Sequence, residues 1–372
     1  MKIAIIASNR KPVPSSRDNV FAPGSIIKGL VDNLTKFGHE VVFFGPSDSK
    51  VNASRIISEG LRSVYSDYKD IRRDDPHTYL ENEDQYEMAL VSRAFEVIKN
   101  EGDFDIIHAH KYNKEVYFSN FVDTPLLISG HGMYCESINS PAAKIRFKRY
   151  GKSCYWVYVS DYHKKDVNLN FVAKIPWGVN PEAFPFNPKG GDNFLFLSRM
   201  IKRKRPHFAI EVAKLAGEKL ILAGQKGVEG SHVKYWKSIE HLFKLPHVTF
   251  TDHIPFDQTY KYFGKAKALL LPLEIGEPMP VTSLEAMACG TPVIASNIPP
   301  MDEIVIDGET GFLVNKDDKN AWVSAIKNIG KINRSKCRAR FEKEYTWQKM
   351  AERYALAYKK VIELDKKKKR KK

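Results

Sequence analysis

The chain has 372 residues, 43% of them hydrophobic, enough for real cores and too many for one ordinary domain, so two domains of Rossmann size are expected. No apolar run is long enough to cross a bilayer, which excludes membrane-spanning classes. The formal charge is +15; residues 366–372 are all basic, and without them the body still carries +8 and is clearly basic.

Residues 2–8 open with about five apolar positions that lead into polar, proline-containing sequence, which makes them a first β-strand rather than a signal peptide. Gly24 precedes a helical pattern through Leu30, Leu34 and Phe37, and Gly38-His39 turns the chain into a strand over 40–44. This β–α–β opening predicts a parallel sheet flanked by helices. Residues 60–85 are polar and resist assignment, and a helix over 86–100 follows them. Strands are expected at 105–108, 125–129 and 155–159. A proline-rich segment over 175–186 and the turn-rich Asn187-Pro-Lys-Gly-Gly-Asp break the pattern, placing a domain boundary near residue 189. The alternation then restarts with a strand at 194–197, a helix at 206–216 and strands at 220–223, 248–251, 268–272 and 293–295. An amphipathic helix over 346–364 ends the folded part, and the basic tail reads first as solvated, second as attracted to anionic lipid and only weakly as a nucleic-acid arm, since no nucleic-acid motif accompanies it. Cys135, Cys154, Cys289 and Cys337 show no Cys-x-x-Cys spacing, which points to a reducing, cytoplasmic setting and no structural zinc.

The most informative stretch is 277–292, Glu-Pro-Met-Pro-Val-Thr-Ser-Leu-Glu-Ala-Met-Ala-Cys-Gly-Thr-Pro. It follows a buried strand, with Glu277 on a loop, a helix starting near Pro280 and Glu285 inside that helix. The free N–H groups of that helix start, at Val281, Thr282 and Ser283, suit a phosphate. Pro280 itself has no N–H to give. After the strand at 194–197 come Arg199 and a run of four cations, Lys202 to Arg205, which can balance charge that grows on a leaving group. In the first half, Gly130-His131-Gly132 stands at the carboxyl end of a strand, where sites of parallel sheets form. His108 and His110 lie near another such end. Asp103-Phe-Asp105 precedes its strand and is set aside as a metal motif, and the first strand lacks the Gly-x-Gly-x-x-Gly of nicotinamide enzymes.

These segments resemble the retaining glycosyltransferases of family GT4 (glycosyl transferases group 1). That family carries Glu-x7-Glu followed by Ala-Met-Ala-x-Gly-x-Pro-Val, a Gly-Arg-Leu-x-x-x-Lys-Gly segment, a strand ending in Thr-Leu-His-Gly, and a first glycine-rich loop of which only Gly24 is kept here. Ser198, Arg205 and Pro280 stand where the family usually has glycine. The resemblance implies a GT-B fold, two Rossmann-like domains facing a cleft, divided as 1–188, 189–345, a crossover helix over 346–365 that packs back on the first domain, and the tail. It implies a metal-independent, retaining transferase that uses a nucleoside-diphosphate sugar as donor substrate and no cofactor. Arg199 and Lys204 would bind the diphosphate, Glu285 the ribose, Glu277 and His131 the donor sugar. Gly24, Pro280, Val281 and Thr282 would lie against the diphosphate. The acceptor expected is a glycan or a lipid-linked hydroxyl, with peripheral attraction to anionic membrane suggested by residues 144–152 and the tail, and no nucleic acid. A nucleotide-sugar 2-epimerase and a non-catalytic sugar-nucleotide-binding protein are the alternative readings.

Overall fold

The computed structural model of the chain describes residues 1–15, 22–68, 71, 75–134, 140–227 and 230–370, so Cys135, Lys371 and Lys372 lie outside the described residues. The chain divides into two compact units, Met1–Trp177 with Trp347–Lys372, and Gly178–Thr346.

The first unit is built on strands β1 (Lys2–Ile6), β2 (Glu40–Phe44), β3 (Arg55–Ile57), β4 (Ile106–Ala109), β5 (Leu126–Ser129), β6 (Tyr155–Tyr158) and β7 (Phe171–Lys174), in the spatial order β3-β2-β1-β4-β5-β6-β7. All pairs are parallel, with Ile3 beside both Val41 and Ile106. The inner strands are unbroken apolar runs because helices cover both faces of such a sheet. Helix Ala22–Lys36 crosses from β1 to β2, and its Gly29 is obligatory: a Cβ there would stand 2.3 Å from the ring of Trp347. Helix Pro76–Glu101 is far longer than the 86–100 expected. Its N-cap Asp75 accepts from the Thr78 amide at 3.1 Å, but its first three turns bury little apolar surface, so periodicity gives no sign of them. The edge strands β3 and β7 escaped the sequence reading for a related reason: they are short and partly exposed.

The second unit holds β8 (Asn193–Leu197), β9 (Leu220–Ala223), β10 (Val248–Thr251), β11 (Ala266–Leu271), β12 (Val293–Ser296) and β13 (Gly311–Val314), ordered β10-β9-β8-β11-β12-β13 and again parallel. The strand order reverses beside β1 in the first sheet and beside β8 in the second, and ligands of open parallel sheets sit above such switch points.

Two expectations shift. The unit boundary falls at 177/178 rather than near 189, because residues 178–188 form an arm packed on the second unit. There the Val179 amide donates to the Tyr345 carbonyl at 2.8 Å, and the buried Phe184 ring lies edge-on to Phe256 and Phe263. The last helix is Trp347–Lys369, so Lys366 to Lys369 form its final turn instead of a loose tail. Cations there oppose the negative end of the helix dipole. Among the described residues no helix is long and apolar enough to cross a membrane.

Candidate active site

In the second unit, β8 and β11 are neighbours at the switch point, and the loops leaving their carboxyl ends bring the charged candidates together. After β8 the chain passes Arg199 and a single 3-10 turn, Lys202–Lys204, before helix Pro206–Ala216. After β11 it passes Glu277 and enters helix Val281–Ala288. Lys204 Nζ donates to Glu277 Oε2 at 2.6 Å, and Arg203 stands 3.9 Å from Glu277 Oε1. Both ends of the Lys204–Glu277 pair are nearly buried, with side-chain exposures of 12% and 11%. Burial lowers the lysine below its ordinary range against the upward pull of Glu277. Arg199 is likewise lowered, first by burial and then by Arg203, and its guanidinium has no hydrogen-bond or ion-pair partner among the described residues.

Arg205 occupies one of the positions where the resemblance leads one to expect glycine, and the backbone keeps glycine's conformation: φ is 53° and ψ 50°. Its side chain offsets that strain. It donates to the Lys316 carbonyl at 2.6 Å and to Asp317 Oδ1 at 2.9 Å, pairs with Glu274 at 3.2 Å, and lies 4.2 Å above the Phe208 ring. The loop that carries Lys204 is therefore fixed from behind by a cation that does not itself reach Glu277.

Pro280 is the N-cap of helix Val281–Ala288, one position earlier than a first-turn proline. Its carbonyl takes both the amide (3.0 Å) and the hydroxyl (2.6 Å) of Ser283, which leaves the amides of Val281 and Thr282 for an anion. Glu285 lies further along this helix, 8% exposed, with no partner among the described residues. Burial alone raises its carboxyl to about 8, so it is protonated at neutral pH. Unpartnered Arg199, unpartnered Glu285, the Lys204–Glu277 pair and a helix start make a polar set suited to a phosphorylated, hydroxylated ligand. Among the described residues no three His, Cys, Asp or Glu side chains are grouped to hold a metal ion.

In the first unit the carboxyl ends of β4 and β5 bring three histidines together. His108 in β4 is fully buried, with Nε2 2.7 Å from Ser129 Oγ and Nδ1 2.7 Å from the Tyr358 hydroxyl. Ser129 Oγ in turn lies 2.8 Å from the Tyr354 hydroxyl. His110 Nδ1 is 3.1 Å from His131 Nε2, and their rings stack with centroids 5.3 Å apart. His131 also lies against Trp177. His110 Nε2 and His131 Nδ1 are buried nitrogens without a partner among the described residues. Burial, with the neighbouring rings as a second cause, drops His108 and His131 to about 3 and His110 well below the usual value, so all three are neutral imidazoles.

The loop holding His131 is anchored on both sides. The Gly130 amide donates to the Tyr134 hydroxyl at 2.8 Å, and that hydroxyl donates to the Val157 carbonyl at 2.8 Å. His163 accepts from the Val159 amide at Nδ1, which puts its proton on Nε2, and Nε2 donates to the Gly132 carbonyl at 2.8 Å.

Gly24 sits inside the first turn of helix Ala22–Lys36, and the closest neighbour of a Cβ there would be Ser15, 3.0 Å away. Its smallness thus serves an approach of loop to helix. Asp103 and Asp105 lie at the other end of β4, where the Lys2 ammonium bonds Asp103 (2.6 Å) and the Lys2 amide bonds Asp105 (2.8 Å). Arg203 belongs to the cation run legible in the sequence, whereas Ser129, Tyr354, Tyr358 and His163 were missed there. Tyr354 and Tyr358 alone left a signal, one helical turn apart on the buried side of the last helix.

Residues 182–346 match the model of the family described as Glycosyl transferases group 1. The chain is similar to an uncharacterized glycosyltransferase of Methanocaldococcus jannaschii, 28% identical over 68% of this chain and 74% of that one. It is also similar to the glycogen synthase of Mycobacterium tuberculosis, 22% identical over 90% of each. Among solved structures it is similar to sucrose-phosphate synthase from Thermosynechococcus elongatus, with a TM-score of 0.72 at 18% identity over 98% of this chain and 100% of that one.

Proposed function

We propose that the chain, whose residues 182–346 match the group 1 glycosyltransferases and whose fold is GT-B with two Rossmann-like units, is a retaining, metal-independent enzyme that moves a sugar from a nucleoside-diphosphate sugar to a hydroxyl acceptor. The observation that carries this reading is the charged set at the β8–β11 switch point: two cations, Arg199 and Lys204, and two nearly buried carboxyls, Glu277 and Glu285, beside a helix start.

Departure of the nucleoside diphosphate breaks the bond between the anomeric carbon and the phosphate oxygen and leaves that pair of electrons on phosphate. Arg199, Lys204 and the amides of Val281 and Thr282 would hold the growing charge in a site partly shut off from water, where fixed cations act most strongly. Glu285 accepts the ribose hydroxyls, giving up its proton as it does so. Lys204 turns from Glu277 to the phosphate, and Glu277 becomes free to accept from the donor sugar's hydroxyls. Neutral His131 offers a hydrogen bond to the sugar without adding a charge beside a carbon that is becoming cationic. A leaving-phosphate oxygen takes the acceptor hydroxyl's proton on the face from which the diphosphate departs, so configuration is kept.

The test is to incubate the enzyme with a panel of nucleoside-diphosphate sugars and hydroxyl acceptors in EDTA, and to read the anomeric proton coupling of the product by NMR. A product with the donor's anomeric configuration is expected. An inverted product, transfer only on adding a divalent metal, or conversion of donor without acceptor would each overturn a part of the reading.

A further inference from the structure

Away from its histidines, the first unit carries a face where bulky apolar side chains stand in the open among cations. Helix Pro141–Tyr150 is capped by Ser140, whose hydroxyl accepts from the Ala143 amide at 3.1 Å. It packs inward through Ala143, through Phe147 against Trp156, and through Tyr150 edge-on to Tyr117. On its outer side Ile145 is 67% exposed, with Lys148 and Arg149 three and four residues on, next to it on the same surface. The packing continues through Ser119 and Ser153, 3.5 Å apart, to the turn after helix Glu115–Phe118, where Phe121 is also 67% exposed. Two residues beyond, the Asp123 carbonyl accepts from Lys369, which brings the basic last turn of the C-terminal helix to this edge. Beside it Asp365 is paired with Lys369 at 2.8 Å.

We infer that this face docks the first unit on an anionic lipid bilayer, with Ile145 and Phe121 entering the boundary between headgroups and acyl chains and the flanking lysines and arginines lying among headgroup phosphates. Single exposed apolar residues are ordinary on a protein surface. An exposed isoleucine and phenylalanine with cations beside each are what interfacial binding needs, since apolar burial and headgroup attraction then act together. A nucleic acid would use the cations but has no place for Ile145. A second copy of the chain would bring the same positive charge and be repelled. The face also lies near the candidate site. Tyr112, two residues after His110, packs on both Phe147 and Tyr134, so the helix stands beside the ends of β4 and β5 where His110 and His131 meet. Docking stands on the face alone; its consequence, that the acceptor hydroxyl is presented by a lipid in the bilayer, rests on the transferase reading.

The test is co-sedimentation of the full chain with vesicles of phosphatidylglycerol and phosphatidylcholine, with phosphatidylcholine alone as the reference. Retention on the anionic vesicles at low salt is expected, and loss of it at about 1 M salt, where charges are screened beyond about 3 Å. Ile145→Asp and Phe121→Asp should each lower the bound fraction at least about fivefold. Leu80→Asp, at a residue 61% exposed elsewhere on the unit, should not. Ile145→Asp should melt like the parent and transfer sugar to a water-soluble acceptor at the parent rate. Failure to bind anionic vesicles, equal binding to neutral ones, or binding indifferent to both substitutions would overturn the inference. Vesicle binding without any sugar transfer would instead sink the transferase reading and leave docking in place.

Discussion

The two units hold their polar side chains in opposite states. The switch point of the second unit gathers charge: a buried ammonium–carboxylate pair at 2.6 Å, an unpartnered guanidinium and a carboxyl raised by burial to about 8. The carboxyl ends of the first unit gather neutral groups, three imidazoles held uncharged by burial, of which His108 is bonded to the Ser129 and Tyr358 hydroxyls and His110 to His131. Charges left unpartnered in a nearly buried place cost stability unless a ligand completes them, so the second unit is preorganised for an anion. Neutral donors and acceptors discriminate hydroxyl patterns without favouring either charge, which suits a sugar. The same fold thus carries two chemistries, set by which residues follow the strands.

The largest break in this comparison should come from Lys204→Ala. It removes the cation proposed to hold the diphosphate and strands Glu277, and turnover in a transfer assay should fall by about 10²–10³. Donor affinity should fall with it. Next comes His131→Ala, expected to lower turnover by roughly tenfold to a hundredfold while nucleotide affinity measured by calorimetry stays within about twofold, because the partners proposed for His131 are hydroxyls of the sugar and not the nucleotide. Equal losses of affinity in the two variants would erase the difference between the units.

A pH series sharpens the contrast. Glu285 is raised from 4.5 to about 8 in the folded protein. A carboxyl with a raised folded value stabilises the fold below its unfolded value, and that contribution is lost as pH rises from there through about 8. Nucleotide binding that needs the carboxylate must release this proton. Affinity should therefore climb by up to about tenfold per pH unit and level off above the raised value. Glu285→Gln should flatten the profile. The histidines, already neutral, should add no slope between pH 6 and 8, and a His131→Gln profile parallel to the parent's checks this. The smallest effect is expected from Arg205→Gly. It relieves a left-handed residue but loses the bonds to Lys316, Asp317 and Glu274 and the contact with Phe208, for a net destabilisation of about 1 kcal/mol read from thermal melting.

The charged site was readable in the sequence because it depends on local spacing. Glu277 and Glu285 fall on a loop and on the helix that follows, and Arg199 and Lys204 on one turn after a strand, so each motif is set by a single strand–loop–helix unit. The histidine site was readable in part, at His131 and at His108 and His110 near a strand's end. Its partners come from 225 to 250 residues away in the chain, as Tyr354 and Tyr358 do, or from ring packing that leaves no period, as His163 on Tyr134 does. The first turns of helix Pro76–Glu101 leave no sign for want of buried apolar residues, and the helical turn at Lys366–Lys369 leaves none because a run of like charges does not announce a helix. Arg205 was legible as a departure from glycine, but not as a left-handed residue held by four contacts.

The most direct test of the contrast is thermal melting of the parent and three variants with UDP-, GDP- and ADP-sugars and the free diphosphates, all in EDTA. The prediction is that one nucleotide series raises the melting temperature of the parent and of His131→Ala, and that Arg199→Ala and Glu285→Ala lose the shift. No shift with any nucleotide, or a shift that survives both second-unit substitutions, would contradict the assignment of the donor to the charged site.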